Sequence, residues 1–159
     1  MRKRTVPSSK ATRRCLPWAA CSGRGESQMP TAERGYLDDC DEVFRRVKAG
    51  FVWTSDDDQH GMEDWRIPED FDRIRDDCDG FALACRELLR EKGHEPRLLF
   101  CLTESGGGHL ICVLGKVALD NRMVSVETIE RLANRFRYTL VSVSGTKPGE
   151  DWHDVHLET

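Results

Sequence analysis

A chain of 159 residues with 38% hydrophobic and 33% charged residues has the composition of one globular domain, and no apolar run approaches the ~20 residues of a membrane-spanning helix. The net charge of −4 is unevenly placed: residues 1–34 carry eight Lys/Arg against two Asp/Glu, and the remainder carries sixteen against twenty-six. An acidic body of this kind argues against a nucleic-acid-binding domain and gives no reason to expect membrane attachment.

Residues 1–33 are rich in Arg, Ser, Pro and Gly and lack apolar periodicity, which predicts a disordered basic extension that the fold does not need. Met1-Arg2-Lys3-Arg4 has the charge of an export signal, but the apolar piece from Cys15 to Cys21 is short and contains Pro17. Seven cysteines, an odd number with no Cys-x-x-Cys pair, point to a reducing compartment rather than a disulfide framework or a zinc site. A cytoplasmic protein is therefore expected, with the periplasm as the alternative.

Tyr36, Leu37, Cys40, Val43, Phe44 and Val47 recur at helical spacing, and Gly50 closes that amphipathic helix. Phe51-Val52-Trp53 leads on as extended chain, Asp56-Asp57-Asp58 reads as a surface loop, and Trp65 to Phe71 as an irregular approach interrupted by Pro68. Trp65 fits a core anchor better than an indole N–H donor to an oxyanion.

From Cys78 the apolar positions Phe81, Ala82, Cys85, Leu88 and Leu89 form a second 3.6-residue stripe, opposed by Arg86, Glu87, Arg90 and Glu91. Asp76 or Asp77 is placed to cap this helix, and Gly93 with Pro96 ends it. A thiol in the first turn meets unpaired backbone N–H groups and the positive end of the macrodipole, which favour thiolate. Taken alone, Cys78 fits the first residue of a buried stripe better than a nucleophile.

After Pro96 the pattern changes to short β-type runs. Arg97 to Thr103 is apolar on both faces, as an inner strand requires. His109 to Leu114 and Val117 to Asp120 flank Gly115-Lys116 as a tight hairpin. Glu127 to Ala133 reads as a short helix, Arg137 to Ser144 as another strand, and residues 146–159 as a polar tail. Helix, helix, then antiparallel sheet is an α+β order. The expected division is an extension over 1–33, one domain over 34–145 and the tail over 146–159.

A cysteine nucleophile needs a base, and the base an orienting partner. With a two- or four-residue loop centred on Gly115-Lys116, Asp120 faces Ile111, and His109, two residues from Ile111, points to the same face as a diagonal neighbour of Asp120. An odd loop would separate them, and Asp120 fits equally as a turn residue before Asn121. Asp77 and Asp79, flanking the thiol, are either helix-start acids facing water or ligands of a hard cation such as calcium.

Asp-Cys-Asp-Gly-Phe-Ala at 77–82, Gly-His at 108–109 and Leu-Asp-Asn at 119–121 resemble the bacterial transglutaminase-like cysteine proteinase family. Asp64-Trp65-Arg66-Ile67-Pro68-Glu69 is similar to the approach segment of that family, and the resemblance covers residues 36–143. It implies a papain-like core, with a nucleophile helix packed on a small antiparallel sheet. It implies Cys78 as nucleophile, His109 as base and then acid, and Asp120 as orienter, acting on a peptide or isopeptide bond of a protein or peptide substrate. Calcium at Asp77 and Asp79 is the one cofactor it suggests, and none is otherwise expected. Amide transfer to an amine and a non-catalytic binding module are the alternatives. Oligomeric state is left open.

Overall fold

The computed structural model describes residues 31–55, 66–147 and 149–155. Residues 1–30 of the expected extension, the acidic loop with His60 and Trp65, and His156 lie outside the described residues, while residues 31–33, expected in that extension, belong to the first helix. Two helices lead. Helix α1 spans Thr31–Gly50 and buries Cys40, Val43, Phe44 and Val47 on one side. Strand β1, Phe51–Trp53, follows it directly and pairs in parallel with β2, Ile74–Asp76. Three-residue strands leave no periodicity to read, so this small parallel pair is not visible in the sequence. Gly50 sits at the junction because the chain entering β2 crosses it: a Cβ there would lie 1.9 Å from the Asp72 carbonyl oxygen.

Helix α2 spans Cys78–Glu91. Asp77 is its N-cap, with its side chain accepting the Asp79 N–H at 2.9 Å, so of the two candidate caps it is Asp77 that acts. Asp76 instead accepts the Asp77 N–H at 2.9 Å, and its side chain crosses Gly80 so closely that a Cβ at 80 would lie 2.3 Å from Oδ2. The helix is covered more completely than a single stripe predicts. Residues 79–86 are all buried, Arg86 included, because the helix lies between α1 and the sheet. Arg86 keeps its charge there by pairing with Glu87 at 3.2 Å. Phe81 meets Phe44 and Phe51 edge-on, at 5.8 and 5.2 Å between centroids, which ties α2 to α1 and β1.

The main sheet has six strands in the order β6-β5-β4-β3-β7-β8, antiparallel throughout. Its strands are β3 (Arg97–Leu102), β4 (Gly108–Leu114), β5 (Val117–Leu119), β6 (Glu127–Thr128), β7 (Thr139–Val143) and β8 (His153–Asp154), with the short helix α3 over Ile129–Asn134 between β6 and β7. β3 is an inner strand, as its two-sided apolar pattern requires. The β4–β5 hairpin closes through the two residues Gly115-Lys116, with Gly115 at φ 58°, and pairs Leu114 with Val117 and Cys112 with Leu119. That is the even-loop register.

One face of the sheet, including Leu98, Leu110, Cys112 and Leu119, packs on α1 and α2. The other, with Leu99, Cys101, Ile111 and Ala118, packs on Met123, Leu132 and Tyr138. The polar stretch after residue 145 contributes β8, whose exposed His153 and Asp154 add an edge to β7 by backbone bonding alone, which a side-chain pattern does not reveal. No helix among the described residues is long and apolar enough to cross a membrane.

Candidate active site

The hairpin register carries His109 and Asp120 to one face. His109 Nε2 lies 2.7 Å from Asp120 Oδ1, with both side chains buried. A carboxylate only accepts, so Nε2 carries the proton and Nδ1 is left as the basic nitrogen. Asp120 also accepts the Arg122 N–H on Oδ1 at 2.9 Å, so the turn role and the histidine-partner role belong to the same residue. Its Oδ2 accepts the Tyr138 hydroxyl at 2.8 Å. Burial alone would raise the Asp120 carboxyl, but the hydrogen bonds from His109, Arg122 and Tyr138 outweigh it and hold Asp120 below the usual carboxylate range.

Cys78 arrives from the opposite layer, at the start of α2. It shares a cleft of about 600 Å³ with His109, Gly108, Asp77, Lys48, Phe51, Trp53, Asn121 and Arg122. The backbone of Leu110, next to His109, holds the Cys78 thiol down against its burial. Lys48 from α1 donates to the Asn121 carbonyl across the cleft.

The thiol departs from the expected activation. Burial pushes the Cys78 thiol well up, and the charges of Asp79 and Asp77 add to that, opposed by the Leu110 N–H. The Cys78 sulfur lies 3.6 Å from Asp79 Oδ1, and the S–H donates to it. Burial and the two flanking carboxylates thus act against the helix-end stabilisation of a thiolate. Cys78 is nonetheless half-exposed, whereas Cys40, Cys85, Cys101 and Cys112 are buried.

Asp77, Cys78 and Asp79 offer metal-ligand atoms within 4.8 Å of one another. Two carboxylates are the oxygen donors calcium takes, but its shell needs six to eight, and the sulfur between them is a soft ligand. The pair fits as part of a calcium shell and not as a whole one.

Three cleft residues, Lys48, Phe51 and Trp53, and Tyr138 behind His109 carried no functional signal in the sequence. Phe51 and Trp53 read as extended chain, as β1 shows, but with nothing to place them in a cleft, and Lys48 sits on helix α1. Tyr138 lies eighteen residues from Asp120 and meets it only through the sheet. Arg122 had a faint signal, since an Asp whose side chain accepts the N–H two residues on is a common turn.

A family model for the bacterial transglutaminase-like cysteine proteinases (BTLCP) matches residues 13–159. Comparison with curated proteins gave no match. Among solved structures, LapG of Legionella pneumophila has the same fold, with TM-score 0.58 and 16% identity over 74% of this chain and 67% of LapG. Its EGTA-treated form gives TM-score 0.60 and 15% identity over 77% and 68%, and its calcium-bound form 0.56 and 15% over 74% and 67%. The family match extends through the strand β8 that the polar tail supplies. With nearly the whole chain matched and the fold shared, this protein belongs to the bacterial transglutaminase-like cysteine proteinase family and is a cysteine peptidase acting on protein substrates.

Proposed function

We propose that the chain hydrolyses a peptide bond through an acyl-enzyme on Cys78, with His109 as general base and then acid and Asp120 as its orienter. The observation that carries this reading is the 2.7 Å contact of buried His109 Nε2 with Asp120, in a cleft that Cys78 also lines. The Cys78 proton passes to Nδ1 as the sulfur attacks the carbonyl carbon, and the Cys78 backbone N–H at the start of α2 receives the oxyanion. Collapse breaks the C–N bond, and Nδ1–H protonates the leaving amine. Water, deprotonated by the same nitrogen, then releases the acid and restores the thiol.

Because burial and the flanking carboxylates push the Cys78 thiol up, its activation depends on His109. In the folded chain iodoacetamide should alkylate Cys78 faster than Cys40, Cys85, Cys101 or Cys112, read peptide by peptide by mass spectrometry, and His109→Ala should slow that labelling near neutral pH. Cys78 reacting no faster than Cys85 would sink the nucleophile assignment.

Calcium belongs to the same reading, with Asp77 and Asp79 as its protein ligands. The ion supplies positive charge beside the sulfur, opposing the carboxylates that now hold the proton on it. Millimolar calcium should therefore raise the melting temperature, through binding to the folded state, and move the pH midpoint of Cys78 alkylation downward. Asp79→Asn should remove both effects. A melt and an alkylation profile that ignore calcium leave Asp77 as a helix cap and Asp79 as a helix-start acid.

A further inference from the structure

The hydrogen bonds behind the dyad have a forced direction. Arg122 Nη2 and Nη1 lie 2.6 and 3.0 Å from the two carboxylate oxygens of Glu104, and Nη1 lies 3.1 Å from the Tyr138 hydroxyl. A guanidinium only donates, so the Tyr138 oxygen accepts from Arg122 and its single proton must point elsewhere. The acceptor is Asp120 Oδ2, 2.8 Å away. With His109 and the Arg122 N–H on Oδ1, both oxygens of a fully buried carboxylate are filled, and it cannot turn without breaking a bond.

Tyr138 is itself over-determined. It is 4% exposed, its N–H donates to the Leu132 carbonyl at 3.0 Å, and its ring meets the His109 ring edge-on at 5.8 Å. Arg122 also lies over the Tyr138 ring, 5.5 Å from its centroid. Arg137, immediately before it, takes φ 58°, a left-handed conformation rare in a non-glycine residue, and this bend delivers the ring into the site.

We infer that Tyr138 is a positioning residue for the general base: its hydroxyl, aimed by the Glu104-clamped Arg122, fixes the free oxygen of Asp120 and thereby the tautomer and orientation of His109. The inference rests on the reading of His109 as the base. The phenol stays a donor, because burial and the neighbouring Asp120 charge push it well above its ordinary range. Arg122 in turn holds the Glu104 carboxyl down to about 2, so the outer end of the relay stays ionised.

The test reads the His109 Nε2–H proton by NMR in the full chain. Tyr138→Phe removes only the hydroxyl, leaving the Asp120 charge concentrated on fewer donors, so the hydrogen bond from Nε2–H should shorten and its resonance move downfield. An unchanged resonance in folded Tyr138→Phe would overturn the inference, since a packing role lowers the melting temperature alone. Should that variant fail to fold, biosynthetic 3-fluorotyrosine keeps the ring and sharpens the donor. The chain has two tyrosines, so Tyr36→Phe identifies the signal of Tyr138. The Nε2–H resonance should then move upfield, and a static one would overturn the inference. Iodoacetamide labelling separates the two claims: a shifted resonance beside an unreactive Cys78 refutes the nucleophile and leaves the Tyr138–Asp120–His109 coupling standing.

Discussion

Cys78→Ala should reduce peptide cleavage by on the order of 10⁴-fold or more, because the acyl-enzyme cannot form and the remaining groups act only as a unit. His109→Ala should cost about as much, and the double variant little more than either alone. The measurement is mass-resolved cleavage of a denatured protein mixture by the wild-type chain and each variant. Supplying an excess of a primary amine in the same assay tests the second half-reaction. The cleft is bounded by single residues of several elements, and Gly106, Gly107 and Gly108 lead to His109 without a lid-sized insertion among the described residues. Water at bulk concentration should therefore win, and free acids should dominate the products. A predominance of amine adducts would convert the reading to amide transfer, and cleavage that survives Cys78→Ala would remove the nucleophile altogether.

Asp120→Ala should be the most destabilising single change in the site. It orphans three donors at once, from His109, Tyr138 and the Arg122 backbone, in a place with no exposed surface. Removing one member of such a buried network costs about 3–5 kcal/mol, which for a chain of this size lowers the melting temperature by roughly 10 °C. The pH dependence follows from the direction of the shift. The folded Asp120 carboxyl lies below its unfolded value, so between the two the unfolded chain binds more protons and stability rises with pH. Its contribution is complete above the unfolded value of ~3.9 and disappears as pH falls through the folded one. The difference in melting temperature between wild type and Asp120→Asn should hence be flat above about pH 5 and narrow below about pH 4. A difference that grows in acid would mean the carboxyl is protonated in the folded state and the three-donor account is wrong.

Much of the architecture follows from local patterns whose period is short. The stripe from Tyr36 to Val47 and the one from Cys78 to Leu89 each repeat over three turns, enough to mark α1 and α2. Gly115-Lys116 between two apolar runs marks a tight hairpin, and the two-residue loop that the structure shows decides which side chains share a face. With that loop His109 and Asp120 become diagonal neighbours, and the motifs around Cys78, His109 and Asp120 are the ones on which the chain resembles the family whose model matches it.

What tertiary structure decided is whatever depends on two distant segments meeting. The parallel pair β1–β2 and the edge strands β6 and β8 are two or three residues long, and their pairing is backbone bonding that leaves no mark on side-chain order. The burial of Arg86 follows from a helix wedged between α1 and the sheet, not from its own stripe. The upward push on the Cys78 thiol depends on folding in the same way. A helix start favours thiolate by a local field and the flanking Asp77 and Asp79 oppose it, both readable from the sequence, but the burial that pushes the thiol up furthest comes only with folding. Tyr138, Arg122 and Glu104 come from the segment before β7, the turn after β5 and the loop after β3. The sequence determined that a thiol, an imidazole and a carboxylate could meet; only the folded chain fixed which nitrogen stays basic, since that depends on which ring nitrogen meets Asp120 Oδ1.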